Sequence, residues 1–345
     1  MALLARKRIL VQKPGGHKAL KIIEDQTERP APGEVQVEVK ACGINFADIA
    51  VRLGLYRAAK DLYPLTPGLE FSGLVREVGE GVAGVSEGAR VFGVCRFGGY
   101  ASLLNCPSHQ LWPMPERWNY EKGATFPVVY LTAYYGLHQV GHLTESDRVL
   151  VHSAAGGVGT AALHLLRING NFCAGVVGRS HKREAALRAG ADLVIDKETQ
   201  ELWSAAKKAN PQGWDLIMDA NGASTLKGSY DHLRPTGRLI IYGFASMFSH
   251  SGKKNIPKLL WYYLKTPRFS PFDLTTANKT VAGFNLIYLF DHVSLFREMM
   301  EKLLRWDAKG LLPPMPITSY PFEEVAKAHR DFESGTTIGK LVLRV

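Results

Sequence analysis

The chain has 345 residues, 46% of them hydrophobic and 21% charged. These proportions exclude a disordered, collagen-like or coiled-coil polymer and suit two domains with a cleft between them. Lys and Arg number 42 against 32 Asp and Glu, a net charge of +10. That charge suits an anionic partner, but the cations are scattered apart from Arg6-Lys7-Arg8, and without a recognition motif no nucleic-acid partner is expected.

The N-terminal stretch from Met1 to Leu10 carries charge where a signal peptide has its apolar core, and no run of about 18 apolar residues predicts a transmembrane segment. Cys42, Cys95, Cys106 and Cys173 lack CxxC spacing and are too few for a disulfide framework, so a reducing, cytoplasmic setting is expected. Over the first ~120 residues Val35, Val37 and Val39 alternate with Gln36 and Glu38. Turns such as Pro32-Gly33, Gly79-Glu80-Gly81 and Gly98-Gly99 punctuate the chain, which predicts a β-rich, largely antiparallel domain.

From Arg148 to about Leu286 short β-rich runs alternate with helical stretches, the pattern of parallel βαβ units. Strands are predicted at Arg148–Ser153, Phe172–Val177, Asp192–Asp196, Asp215–Asp219, Arg238–Tyr242 and Lys279–Asn285, giving a doubly wound parallel sheet. Helices are predicted at Gly159–Asn169, His181–Ala189, Gln200–Ala209 and Ser224–Leu233. Two further helices, near Leu295–Trp306 and Phe322–Phe332, precede a strand at Lys340–Val345 that must join a sheet. The N-terminal domain is its natural host. The predicted organisation is therefore α/β, with a nucleotide-binding domain over 121–288 inserted into a substrate domain formed by 1–120 and 289–345.

The first βα junction carries Ala154-Ala155-Gly156-Gly157-Val158-Gly159, an AxGxxG turn between strand and helix. Gly156 and Gly157 would let the backbone approach a pyrophosphate, Gly159 would permit close helix-sheet packing, and the turn's Ala155 and Val158 would flank the cofactor. An NAD-specific site places an acid after the second strand to accept a bond from the ribose 2′-hydroxyl. This chain has Gly178-Arg179-Ser180-His181-Lys182 instead. Arg179, Lys182 and Lys197 could meet a 2′-phosphate and Ser180 could donate to it, which points to NADPH, unless these are simply solvated surface residues.

Together with Cys42-Gly-Ile-Asn45-Phe-Ala-Asp48 and Leu131-Thr132-Ala-Tyr-Tyr-Gly136, these motifs resemble the medium-chain dehydrogenase/reductase superfamily. Within it they are most similar to the zinc-free quinone oxidoreductase (zeta-crystallin-like) branch. The stretch from Trp261 through Ala277-Asn278-Lys279-Thr280-Val281-Ala282-Gly283-Phe284 resembles that branch's vesicle amine transport protein subgroup. The resemblance implies a Rossmann domain set into a GroES-like substrate domain, and a homodimer formed through edge strands of the nucleotide domains. Zinc members carry a cysteine after CGV and a GHE segment. Asn45 and Leu69 stand at those places and are not the thiolate and imidazole ligands zinc requires, so no metal is expected.

The resemblance further implies that Asn45 and Tyr56 line the nicotinamide side of the cleft, that Thr132 contacts the nicotinamide, and that Gly243 and Phe244 face it. Phe284-Asn285-Leu286 would approach the cofactor's outer edge and Lys340 its phosphates. Asp48 matches the motif, and both it and Asn45 could instead bond locally to a turn. Lys340 could equally be a surface lysine. The expected activity is hydride transfer from NADPH to a quinone or α,β-unsaturated carbonyl, with Tyr56 or water as proton donor.

Two other readings compete. One is a 2-enoyl thioester reductase, with Trp261, Tyr262, Tyr263, Phe269 and Phe272 lining an acyl path. The other is a non-catalytic NADPH-binding protein that associates with a membrane or a protein partner through the basic, apolar run Lys253-Lys254-Asn-Ile-Pro-Lys258-Leu-Leu-Trp261. No HxxxH pattern or nucleophile elbow supports a hydrolase.

Overall fold

The computed structural model describes residues 3–248 and 254–345. Met1, Ala2 and Lys253, which enter the N-terminal and basic-run readings, lie outside those residues. In chain order, β1 (Leu4–Val11) and β2 (Leu20–Thr27) form an antiparallel pair, followed by β3 (Glu34–Ile44) and α1 (Phe46–Arg52). Next come β4 (Glu70–Val78), β5 (Arg90–Val94), β6 (Leu103–Pro107) and β7 (Leu111–Pro113), then α2 (Tyr120–Thr125) and α3 (Pro127–Tyr134).

The alternating part runs β8 (Val149–Val151), α4 (Gly157–Asn169), β9 (Cys173–Val177), α5 (Arg183–Ala189), β10 (Leu193–Asp196), α6 (Leu202–Ala209), β11 (Trp214–Asp219), α7 (Leu226–Asp231) and β12 (Leu233–Ile241). It continues through α8 (Ile256–Lys265), α9 (Pro271–Ala277) and β13 (Thr280–Gly283). The last stretch holds α10 (Val293–Ala308), β14 (Ile317–Pro321), α11 (Val325–Glu333) and β15 (Lys340–Arg344).

Among the described residues, β8 to β13 build a six-stranded sheet in the order β10-β9-β8-β11-β12-β13, with every neighbouring pair parallel. This is the doubly wound order, in which the chain starts in the middle and reverses direction beside β8. Ligands bind such sheets at the carboxyl ends of the strands flanking that reversal, where helices on opposite faces leave a crevice. The end of β8 opens there into the glycine turn.

The predicted helix Ser224–Leu233 is cut short at Asp231, and the following strand begins at Leu233 rather than Arg238. The sheet has a register shift between Trp214 and Leu216, and Thr236 adopts a left-handed φ of 72°. A bulge of this kind admits extra residues into a strand without breaking its outer pairing. Hydrophobic alternation does not reveal it.

The remaining strands form a seven-stranded sheet, β14-β15-β3-β4-β5-β7, with β6 also paired to β3. The closing strand β15 lies antiparallel to β3, pairing Leu341 with Ile44 and Leu343 with Cys42. The expected host of the terminal strand is thus the observed one. Trp118, Phe126 and Tyr130 carry the core from this sheet to the nucleotide sheet, with ring centroids 4.6 Å and 4.2 Å apart along the row. The row ends on His164 of α4, whose Nδ1 lies 2.7 Å from the Tyr130 hydroxyl. Burial, with help from Arg167, pushes the His164 imidazole down to about 4, so it packs as a neutral ring.

Candidate active site and nucleotide cleft

The glycine turn is shaped by steric limits. Ser153 takes a left-handed φ of 54° at the strand exit, and a Cβ at Gly159 would sit 2.3 Å from the Ser153 carbonyl oxygen. Only glycine allows the helix to rise so close to the strand. Gly156 is the N-cap of α4 and no side chain caps the helix. The first-turn N–H groups and the positive end of the dipole are therefore left for an anion.

At Gly157 an added Cβ would meet Lys340 Cδ at 2.7 Å and Val129 Cγ1 at 2.9 Å. The turn is also tied to the substrate domain, because the Gly339 N–H donates to the Ala155 carbonyl over 2.8 Å. Ala155 is buried and Val158 half-buried against the core.

Beyond β9, Gly178 and Arg179 are exposed and Ser180 and Lys182 half-buried, with Lys197 exposed across from them at the end of β10. The structure brings these residues together: a Cβ on Gly178 would lie 3.9 Å from Lys197 Cε. Neither Lys182 nor Lys197 has an ion-pair partner among the described residues. Partial burial, then the Arg179 charge, lowers Lys182 to about 8. One member of this group has no signal in the sequence motif. Glu198 accepts the Ser180 N–H at 2.6 Å and pairs with Arg179 at 3.0 Å. It lies 18 residues from Ser180 and on a different loop, so only the adjacency of β9 and β10 unites them.

The Asn45 corner is built differently. Asn45 starts α1 where β3 ends, and its side chain is spent on two charged neighbours. Lys340 Nζ donates to Asn45 Oδ1 at 2.8 Å, and Asn45 Nδ2 donates to Glu70 Oε1 at 2.8 Å. Lys340 and Glu70 form an ion pair at 2.8 Å with both side chains essentially out of solvent. The lysine also reaches the Ile44 carbonyl at 2.6 Å, while Glu70 Oε2 accepts the Val128 N–H at 2.9 Å.

Lys340 is therefore not a surface lysine. Its aliphatic stem lies against the glycine turn, and its ammonium is held by the Ile44 carbonyl, Asn45 and Glu70.

Asp48 is wholly buried and accepts the Asn45 N–H at 2.8 Å, the Gly68 N–H at 3.0 Å and the Tyr100 hydroxyl at 3.1 Å. Desolvation outweighs these donors and raises its carboxyl to about 6. Its contacts are those of a group that fixes two loops, and none of them opens to the cleft. Thr132 is buried, its hydroxyl donating to the Val128 carbonyl of its own helix at 2.6 Å, which leaves the hydroxyl oxygen free to accept.

Across the cleft, the Tyr56 hydroxyl donates to Asn285 Oδ1 at 2.8 Å and its ring meets Phe97 edge-on at 6.4 Å. Burial raises the phenol above its usual range, so it stays protonated at neutral pH and acts as a donor. Phe284, beside Asn285, packs edge-on against Tyr135 and stacks near Tyr242. Gly243 follows β12 against Ala220, whose carbonyl oxygen would be 2.8 Å from an added Cβ, and Phe244 is exposed beside Gly222. No cluster of three His, Cys, Asp or Glu side chains suited to a metal occurs among the described residues. At the places compared with zinc ligands, Asn45 is engaged as above and Leu69 is buried in the core.

Comparison with known proteins agrees with this arrangement. Residues 31–116 match the alcohol dehydrogenase GroES-like domain family, and residues 189–343 the zinc-binding dehydrogenase family. The synaptic vesicle membrane protein VAT-1 homolog of Rattus norvegicus is 36% identical over 331 residues, 95% of this chain and 81% of that protein.

Among solved structures, the human VAT-1 homolog-like protein superposes with a TM-score of 0.84 at 28% identity, covering 99% of this chain and 98% of that one. Escherichia coli quinone oxidoreductase complexed with NADPH superposes with a TM-score of 0.87 at 28% identity, covering 98% and 100%. The chain belongs to the medium-chain dehydrogenase/reductase superfamily, as a relative of the VAT-1 homologs with the fold of the quinone oxidoreductases.

Proposed function

We propose that this protein is an NADPH-dependent reductase of quinones or α,β-unsaturated carbonyls that works without zinc. The observation that carries the reading is the continuity of Lys340. Its stem packs against Gly157 of the glycine turn while its ammonium holds the amide of Asn45. The nucleotide turn and the substrate corner are thereby set by one rigid side chain. The NADPH-bound quinone oxidoreductase of the same fold supports the choice of cofactor, as do the helix N-terminus without a side-chain cap and Lys182 and Lys197, which have no ion-pair partner among the described residues.

NADPH, when bound, supplies the hydride. Ala155, Gly156, Gly157 and Val158 would hold its pyrophosphate, and Gly178, Arg179, Ser180, Lys182 and Lys197 its 2′-phosphate. Thr132, Gly243, Phe244 and Phe284 would bound the nicotinamide end. Asn45 has one amide hydrogen left after Glu70 is served, and that N–H can orient an acceptor's carbonyl oxygen. Tyr56 would exchange Asn285 for the same oxygen. A phenol held above its normal pKa stabilises developing negative charge by donating a hydrogen bond, while the proton itself comes from water. Asp48 positions the Asn45 and Gly68 backbones.

The test is NADPH oxidation across a panel of quinones, enones and enoyl thioesters, in wild type and Tyr56→Phe. Quinones and enones should turn over, and the variant should lose about tenfold in kcat/KM with NADPH affinity changed less than twofold. NADPH binding without turnover of any acceptor would overturn the reading, and preference for thioesters would move it to the enoyl reductase alternative.

A second reading is favoured by α8 and α9, which have no buried residue. Leu264 and Phe272 are 73% and 84% exposed, beside Lys254, Lys265 and Arg268. Apolar and cationic groups on one exposed helix suit anionic lipid, and no helix of the described residues is long and apolar enough to cross a membrane. Co-sedimentation with phosphatidylserine vesicles, lost on Trp261→Ser with Leu264→Ser, tests this peripheral role. A homodimer through the β13 edge is part of the same proposal, checked by sedimentation.

A further inference from the structure

We infer that Glu198 is a specificity-determining residue: its carboxylate occupies the donors of the 2′-phosphate subsite and sets the preference between NADPH and NADH by competing with that phosphate. The inference rests on the NADPH reading above.

The two carboxylate oxygens of Glu198 take separate partners, one the Arg179 guanidinium at 3.0 Å and the other the Ser180 N–H at 2.6 Å. A guanidinium and a backbone N–H side by side, just past the second strand of a doubly wound sheet, are the donors that distinguish a phosphate monoester from a hydroxyl on the adenosine ribose. A carboxylate spanning them is the closest protein mimic of that phosphate, anionic and bidentate with oxygens of similar reach.

The charges show why the mimic competes without abolishing binding. Arg179, Lys182 and Lys197 contribute three positive charges and Glu198 one negative, a local balance of +2. The two lysines have no ion-pair partner among the described residues and remain for the ligand. A 2′-phosphate carrying close to two negative charges at neutral pH, as phosphate monoesters do, must displace Glu198 from Arg179 and Ser180 and then tolerate its charge nearby. NADH lacks the phosphate and leaves the clasp in place. The same two donors, Ser180 first and Arg179 second, hold the Glu198 carboxyl below its usual range, so the competitor is ionised wherever the 2′-phosphate is.

Because Glu198 is exposed and outside any packed core, Glu198→Gln should fold as wild type. The experiment titrates NADPH and NADH separately into wild type, Glu198→Gln and Glu184→Gln at low salt, following nucleotide fluorescence. Glu184 is an exposed acid on α5 paired to Arg188, and its variant controls for a general change of surface charge. Glu198→Gln should tighten NADPH by about three- to tenfold, the range expected for releasing an exposed ion pair and its repulsion. NADH should change by less than twofold, and Glu184→Gln should leave both nucleotides alone. NADPH affinity that is unchanged or weaker in Glu198→Gln overturns the inference, as does equal tightening of both nucleotides. Wild type that binds NADPH while Glu198→Gln has no effect removes only this inference. Wild type that binds neither nucleotide removes the NADPH reading and this inference with it.

Discussion

The Asn45 corner and the Arg179 edge are both assembled from charged side chains that neighbouring elements bring together, yet they treat those charges in opposite ways. At the corner Lys340, Glu70 and Asp48 are buried, and each meets three partners within the protein. At the edge the cations stand in or near solvent, two of them without an ion-pair partner among the described residues. A buried charge is costly unless its neighbours replace water, so a saturated cluster reports a fixed geometry. An exposed cluster with cations to spare is where the proposed 2′-phosphate would find its donors.

The sharpest way to break the contrast is to unbalance the corner. Lys340→Met should cost about 3–5 kcal/mol, because it leaves Glu70 ionised with no counter-charge. Lys340→Met with Glu70→Gln should recover a large part of the loss. Urea denaturation followed by circular dichroism measures both. Equal stability of Lys340→Met and wild type would mean that the pair is not acting as a buried unit.

At the edge the same kind of deletion should spare the fold and alter the ligand. Arg179→Ala with Lys182→Ala should weaken NADPH by about 10- to 100-fold, each lost charge-assisted bond being worth roughly 0.7–1.4 kcal/mol after allowance for exposure. NADH affinity should hardly move, and raising salt from 0.05 to 0.5 M, round concentrations chosen to span about one decade of screening, should narrow the wild-type preference. Calorimetric titration of both nucleotides decides it. Parallel losses for NADPH and NADH would remove these cations from the 2′-phosphate.

A smaller effect sharpens the comparison through pH. The folded pKa of Lys182, about 8, lies below the usual lysine value because burial and Arg179 disfavour its charged form. It is protonated below that pH and loses its charge as pH rises through it, whereas the 2′-phosphate is dianionic above about pH 6. NADPH preference should therefore be greatest between those values and fall a few-fold by about pH 9.5, with NADH flat. Lys182→Met should abolish the slope. A wild-type ratio that does not vary over this range would exclude Lys182 as a phosphate ligand.

Much of the nucleotide sheet was legible because its central strands β8, β9 and β11 are buried along their whole length and read as short apolar runs, while the glycine turn announces the first crossover. The host of β15 was legible by elimination, since a strand must find an edge. The missed details depend on distance through space. Glu198 follows an ordinary strand and acquires meaning only because β10 lies beside β9. Lys340 reads as a lysine before an apolar strand, and nothing local shows that Glu70 and Asn45 are waiting 270 and 295 residues earlier. The α8 and α9 helices were read as an apolar, basic run and not as helices, because without a buried stripe their periodicity is faint.

The pairing of β3 with β15 also governs how the molecule is made. A contact between Lys340 and Ile44 spans 296 residues, and closing so long a chain segment carries an entropic penalty that grows with its length. Once the intervening nucleotide sheet has folded, the tether between the two strands becomes a compact body with its ends held near one another, and the effective loop is much shorter. The topology therefore predicts that the seven-stranded sheet is completed after the six-stranded one, which stopped-flow refolding would test. Asn45 meets its lysine where β15 joins β3, so the corner depends on residues from both ends of the chain.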